Sequence, residues 1–240
     1  MLAIETKNLT KKFKEKTAVN GIELKINEGE LFALLGTNGA GKTTTIKMLS
    51  TLILPTDGEI KINGMDIIKD RQKIKEILNV SPQETAIAPN LSVKENLEFM
   101  AGVYQIQNKE EKINELVKLF KLEEVLKQKA KTLSGGWQRK VSIAISLINE
   151  PKILFLDEPT LGLDVIARKE LWKIIENLKG KITIILTTHY MEEAESLSDR
   201  IGIMAKGKLV DVGTAKELIK KAGTENFEDA FVKIATGGEL

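Results

Sequence analysis

Gly36-Thr37-Asn38-Gly39-Ala40-Gly41-Lys42-Thr43-Thr44 fills every required position of the pattern G-x-x-x-x-G-K-[ST], and its flanks decide the fold. An apolar run, Leu31-Phe32-Ala33-Leu34-Leu35, precedes it, and an amphipathic one, Ile46-Lys47-Met48-Leu49, follows. A buried strand, a tight loop and a helix, in that order, turn the pattern into a phosphate site. The glycines let the backbone wrap until its N–H groups converge on phosphate oxygens, and the helix adds the positive end of its dipole. Lys42 supplies a mobile charge for the β- and γ-phosphates, and the Thr43 hydroxyl is set to ligate Mg²⁺. Three β-branched residues in a row, Thr43, Thr44 and Thr45, are a poor choice for helix stability alone. An ordinary Gly-rich turn would need neither the Lys nor the Thr in register. The segment predicts a nucleoside triphosphate site.

Composition narrows the setting. At 240 residues the chain suits one domain with an inserted subdomain. A chain of that size buries about 70–75% of its unfolded surface and needs no covalent staples. Without cysteine there are no disulfides and no thiolate metal sites, which suits a reducing compartment. No apolar run approaches the roughly 18 residues of a membrane span, and Met1-Leu2-Ala3-Ile4-Glu5-Thr6 lacks the regions of a signal peptide. The expectation is a cytoplasmic protein, unless a partner holds it at a membrane. A net charge of +2, from 36 basic and 34 acidic residues, is too balanced for a nucleic-acid binder, so no nucleic acid is expected.

Periodicity divides the chain into three parts. Residues 1–83 read as strands around the phosphate loop. Ile22-Glu23-Leu24-Lys25-Ile26 and Glu59-Ile60-Lys61-Ile62 alternate apolar and polar, as half-exposed antiparallel strands do, and Asn63-Gly64 signals a hairpin. From Leu91 to about Asn149 the period turns helical, with stripes Val93…Leu97…Met100 and Ile113…Leu116-Val117…Phe120. Ser92 with Glu95 has the form of a capping box. Strands return at Ile153-Leu154-Phe155-Leu156, Thr183-Ile184-Ile185-Leu186 and Ile201-Gly202-Ile203-Met204; the first two are the continuous apolar runs of buried parallel strands. Ala167 to Leu178 is the crossover helix between those two. Lys206-Gly207 closes a late hairpin, and Phe227 to Ile234 forms a short amphipathic helix.

Two carboxylates, Asp157-Glu158, end the first of those apolar strands. A carboxylate at such a tip, beside the phosphate loop, holds Mg²⁺ directly or through water. Glu158 has a different task, orienting or deprotonating the attacking water. Leu133-Ser134-Gly135-Gly136-Trp137-Gln138 opens a further helix, and its bare N–H groups form a second anion site. One nucleotide hardly needs two such sites from one chain.

At LSGG the chain resembles the ATP-binding subunits of ABC transporters, over essentially its whole length and with the motifs in the family's order. The resemblance implies an α/β fold: a P-loop NTPase core, a RecA-like wound sheet plus an antiparallel β subdomain, with an inserted α-helical subdomain. Residues 1–83 and 150–220 would form the nucleotide-binding core, 84–149 the helical signature subdomain and 221–240 a short C-terminal tail. It also implies ATP and Mg²⁺ as ligands. Two copies, or this chain and a paralogous ATPase, would form a head-to-tail dimer in which each Ser134-Gly135-Gly136 closes on the partner's ATP. Trp137 stands where the family often has Gln or another residue.

Further positions follow from the same resemblance. Gln83 matches the Q-loop glutamine, whose amide reaches Mg²⁺ or the attacking water and links catalysis to the helical subdomain. Leu161-Gly162-Leu163-Asp164 resembles the D-loop that crosses the dimer, with Val165 replacing a common proline. His189, the chain's one histidine, follows the strand Thr183–Leu186 where the switch histidine lies. Its imidazole would bond the γ-phosphate and orient Glu158 and water. Phe13, with Val19, matches the aromatic A-loop that stacks on adenine, keeping the π-face of the more frequent tyrosine. A partly buried aromatic before the first long strand is the competing reading of Phe13.

The function implied is ATP hydrolysis that powers transport by a separately encoded permease, which would grip the stretch Ala86 to Met100. That stretch and the tail look most like ABC-2-type exporter ATPases, and the short length argues against importers with a regulatory C-terminal domain. The chain would sit peripherally on the inner face of the cell membrane. The alternative is a soluble ABC-type ATPase acting on ribosomes or DNA, which usually carries two cassettes or long insertions. A GTPase is rejected, because the one Asn-Lys, Asn108-Lys109, continues as Glu110-Glu111 and lacks the Asp that reads guanine.

Overall fold

A computed structural model describes residues 1–238. The first half of the core runs β1 (Leu2–Phe13), β2 (Lys16–Asn27), β3 (Leu31–Gly36), α1 (Lys42–Leu49), β4 (Asp57–Ile62), β5 (Met65–Asp66), α2 (Arg71–Ile77) and β6 (Leu78–Ser81). The helical insertion holds α3 (Val93–Val103), α4 (Lys109–Phe120) and α5 (Gly135–Ser146). The chain then returns through β7 (Ile153–Asp157), α6 (Val165–Leu178), β8 (Thr183–Thr188), α7 (Met191–Leu197), β9 (Arg200–Ala205) and β10 (Lys208–Gly213). It ends with α8 (Ala215–Ala222) and α9 (Phe227–Thr236).

Two sheets result. β2-β1-β4-β5 is antiparallel throughout, and its β4–β5 turn uses Asn63 and Gly64 at φ 47° and 77°, the left-handed pair that a tight hairpin requires. The second sheet has the order β10-β9-β3-β8-β7-β6, parallel except for the β9–β10 hairpin. Alternation along its central strands explains why they are apolar without a break. Leu31, Ala33 and Leu35 enter the core shared with the helical insertion, while Phe32 and Leu34 enter the core under the antiparallel sheet. Leu154 and Leu156 divide from Ile153 and Phe155 in the same way.

The capping box of α3 is formed: Glu95 N–H donates to Ser92 Oγ at 3.2 Å, and Ser92 N–H to Glu95 Oε2 at 2.7 Å. Three expectations change. Residues 1–83 are not strands alone around the phosphate loop, since α2 lies among them. It is seven residues long and buries only Ile74, too little for a visible period. Phe13 closes a twelve-residue strand instead of preceding the first long one. That strand is polar, and its pairing with β2 shifts register four times, which hides its alternation. The tail does not begin after residue 220, because α8 runs through that point; Leu218, Phe227 and Phe231 of α8 and α9 belong to the main core.

Candidate functional site

The phosphate loop joins β3 to α1 around a cavity of about 730 Å³ lined by Asn38 to Thr44, Gln83, Glu158 and His189. Close packing dictates two of the loop's glycines. A Cβ on Gly41, whose φ is 104°, would stand 2.6 Å from the Ala18 carbonyl oxygen, and one on Gly36 would stand 2.5 Å from that of Met204. Gly41 caps α1, so the first N–H groups of that helix open onto the cavity. Lys42, only 5% exposed, folds back across the loop; its Nζ donates to Gly36 O at 2.7 Å and to Thr37 O at 3.4 Å.

Because β8 lies between β3 and β7, Asp157 must reach the phosphate loop across one intervening strand. Thr187 on β8 bridges the gap. Its hydroxyl donates to Asp157 Oδ1 at 2.5 Å and accepts the Glu158 N–H at 3.0 Å. The Thr43 hydroxyl donates to the same Asp157 oxygen at 3.2 Å. Glu158 is held at φ 48°, a left-handed conformation that costs a non-glycine residue energy and gathers at functional sites. Its two oxygens face opposite partners: Oε1 is 3.5 Å from Lys42 Nζ, and Oε2 is 2.9 Å from His189 Nδ1.

Gln83 reaches the cavity from the end of β6, and its backbone is tied to the signature helix. The buried Arg139 guanidinium of α5 donates to Pro82 O at 2.7 Å and to Gln83 O at 2.5 Å. Burial works against that positive charge, and Asp157 and Glu193 offset part of the cost. Ser134 and Gly135 lie elsewhere. Both are exposed at the start of α5, outside the lining of the cavity, and the Ser134 hydroxyl makes no bond to its own helix.

Phe13 is 49% exposed at the end of β1, with Lys11 Nζ 5.2 Å from its ring centre, and it does not line the cavity. Val19 has no exposed surface and lies beneath the loop, its Cγ2 3.4 Å from where a Gly41 Cβ would be. The stretch of β2 that lines the cavity is Lys16, Thr17 and Ala18. Sequence reasoning missed these three, together with Lys206 and Gly207, and it assigned Leu161, which also lines the cavity, to the D-loop that crosses the dimer. The Lys206-Gly207 hairpin signal was visible, but its contacts were not. Gly207 O accepts Asn20 N–H at 2.8 Å and Gly207 N–H donates to Ala40 O at 3.1 Å, clamping β2 to the phosphate loop.

The donor set suits Mg²⁺. Among the described residues no group of three or more His, Cys, Asp or Glu side chains could hold a metal alone. Thr43, Asp157 and Gln83 instead offer a hydroxyl, a carboxylate and an amide, as fits an ion that completes its shell with water and phosphate oxygens. A second cavity, of about 810 Å³, opens between core and insertion. It is lined by Leu52, Val80, Ala86, Tyr104 and Ile106 among others, with Leu52 59% exposed.

A family model described as ABC transporter matches residues 19–161. The "Probable multidrug ABC transporter ATP-binding protein YbhF" of Escherichia coli (strain K12) is 38% identical over 239 residues, covering 96% of this chain and 41% of that protein. This chain therefore spans less than half the length of that relative. The "Linearmycin resistance ATP-binding protein LnrL" of Bacillus subtilis (strain 168) is 37% identical, with 98% of this chain and 75% of that protein covered. Among solved structures, one described as "Structure of ATP binding subunit of ABC transporter" superposes with a TM-score of 0.86 at 28% identity, covering 97% of this chain and 99% of the other. The ADP- and Pi-bound "Dimeric structure of a post-hydrolysis state of the ATP-binding cassette MJ0796" gives 0.79 at 27% identity, covering 88% and 98%.

Proposed function

This chain belongs to the ABC transporter family, and we propose that it is the ATP-hydrolysing subunit that powers export by a separate membrane permease. One observation carries the reading: Glu158 stands between Lys42 and His189 at the phosphate loop, 3.5 Å from one and 2.9 Å from the other. Lys42 and the N–H groups of Gly39 to Thr44 hold the β- and γ-phosphates. Glu158 orients the attacking water or accepts its proton, and His189 fixes that carboxylate and donates to the γ-phosphate. Thr43, Asp157 and Gln83 hold Mg²⁺, which withdraws charge from the phosphate oxygens when bound. Phe13 offers its exposed ring to adenine, while Val19 supports the loop from below.

Ser134, Gly135 and Gly136 act on a second cassette. The exposure of Ser134 and Gly135 away from their own cavity supports a head-to-tail homodimer, or a dimer with a paralogous ATPase, closed on two ATP molecules. The neighbour described as a dimeric cassette supports dimerisation. Among the described residues no helix is long and apolar enough to cross a membrane, and in this reading the permease supplies the translocation path. The chain docks on that permease, peripherally at the inner face of the membrane, through the groove beside Leu52, Ala86 and Tyr104. Relatives named for multidrug transport and linearmycin resistance support an export role.

The test is to purify the chain with its associated proteins from detergent-solubilised membranes and measure phosphate release under Mg-ATP. The expected result is a complex with an integral membrane protein and ATP-dependent phosphate release. A stable complex with ribosomes or DNA, and none with any membrane protein, would contradict it.

A further inference from the structure

Glu193, in the first turn of α7, is fully buried, and one of its oxygens joins three segments of the site. Oε1 accepts the Thr160 hydroxyl at 2.8 Å and the Trp172 indole N–H at 3.0 Å. Thr160 lies on the loop two residues after Glu158, Trp172 is on α6, and Glu193 itself is four residues after His189. A second set of contacts runs to the same place. The Arg168 guanidinium lies 5.5 Å from the Tyr190 ring centre and 5.7 Å from that of Trp172, and the Tyr190 ring packs 4.2 Å from the His189 ring.

The cluster is costly. Glu193 Oε2 and Arg168 Nε are both buried without a hydrogen-bond partner, and an unsatisfied buried group of that kind is destabilising. Burial pushes the Glu193 carboxyl above the usual carboxylate range, although the Thr188, Thr160 and Trp172 side chains and the Arg168 charge all pull it down. Some proteins retain a buried polar group of this kind for specificity and not for stability.

We propose that Glu193 is a positioning residue for hydrolysis: through Thr160 and Trp172 it locks the loop carrying Glu158 to the segment carrying His189, and so sets their contact. The inference rests on the ATPase reading and deepens it. Displacing a reacting group by about 1 Å costs on the order of 10²-fold in rate, whereas the phosphate loop that binds ATP makes no bond to this cluster. The lock therefore governs kcat more than affinity.

The experiment measures kcat and the Kd for ATP in the parent, Thr160→Val, Glu193→Ala and Glu193→Gln. Thr160→Val keeps the side-chain volume and removes only the donor, so it carries the test if Glu193→Ala fails to fold. The expected result is a kcat lowered about ten- to hundredfold in Thr160→Val and Glu193→Ala, with Kd changed by less than about twofold. Glu193→Gln, which keeps an acceptor for Thr160 and Trp172, restores most of the loss. An active parent matched by Thr160→Val, a Gln variant as slow as the Ala variant, or equal losses in Kd and kcat would each overturn the lock alone. A parent without turnover would overturn both the lock and the ATPase reading.

Discussion

His189 Nδ1 lies 2.9 Å from Glu158 Oε2, while Glu158 Oε1 faces Lys42 Nζ at 3.5 Å. Residues 147 positions apart along the chain, Lys42 on α1 and His189 past β8, thus meet on one carboxylate. β8 makes this possible. It lies between the strands that carry the phosphate loop and the carboxylates, so its own C-terminal end delivers His189 between the two.

Lys42→Ala removes the charge that faces the phosphates. Phosphate release under Mg-ATP should fall below detection. The fold should survive, because the Lys42 ammonium bonds only loop carbonyls and Glu158, and circular dichroism would check this. Hydrolysis at the parent rate would contradict the phosphate-loop assignment.

Ser134→Arg alters an exposed position outside the chain's own cavity. A fluorescent ATP analogue should bind as it does to the parent, while turnover stops because the arginine blocks closure on the opposing nucleotide. Equal loss of both would place LSGG in its own subunit's site.

Gly41→Ala tests the packing of the loop. At φ 104° and with the Ala18 oxygen 2.6 Å from the new Cβ, the substitution should cost at least about 2 kcal/mol. For a chain of this size that lowers Tm by roughly 4–8 °C. An unchanged melting temperature would mean that the loop relaxes freely.

Glu193 gives a pH dependence of known sign. Its carboxyl is raised above 4.5 in the folded protein, so between those two values the native state binds more protons than the unfolded one. Its contribution is fully present below the unfolded value and is lost as pH rises through the folded one. Glu193→Gln removes this loss, so its Tm relative to the parent should climb as pH increases from about 4 to 8. A Tm difference that is flat across that range would contradict the raised carboxyl.

What was legible in the sequence was what local pattern determines. The phosphate loop, the paired carboxylates at a strand end and the capping box of Ser92 with Glu95 each announce themselves within ten residues. α2 did not, because Arg71–Ile77 buries one side chain. The β2 lining was misjudged by one position. Val19 was expected at the nucleotide, yet Ala18 and its neighbours line the cavity, since the strand's alternation turns Val19 into the core beneath the loop. Glu193 gave no signal at all. In the sequence it is one of two adjacent glutamates on a short helix, and tertiary packing around α7, including α6 and the loop at Thr160, buries it.

In the proposed mechanism two chains share two ATP molecules, and Glu158→Gln isolates that step. The amide keeps the side chain's shape and removes the proton acceptor, a change worth about 10²–10⁴-fold in hydrolysis. Thr43, Asp157 and Lys42 are untouched, so Mg-ATP still binds. Size-exclusion chromatography with light scattering, run on this variant with and without Mg-ATP, should show a dimer with nucleotide and a monomer without it. A monomer under both conditions, with ATP shown to be bound, would contradict the shared site.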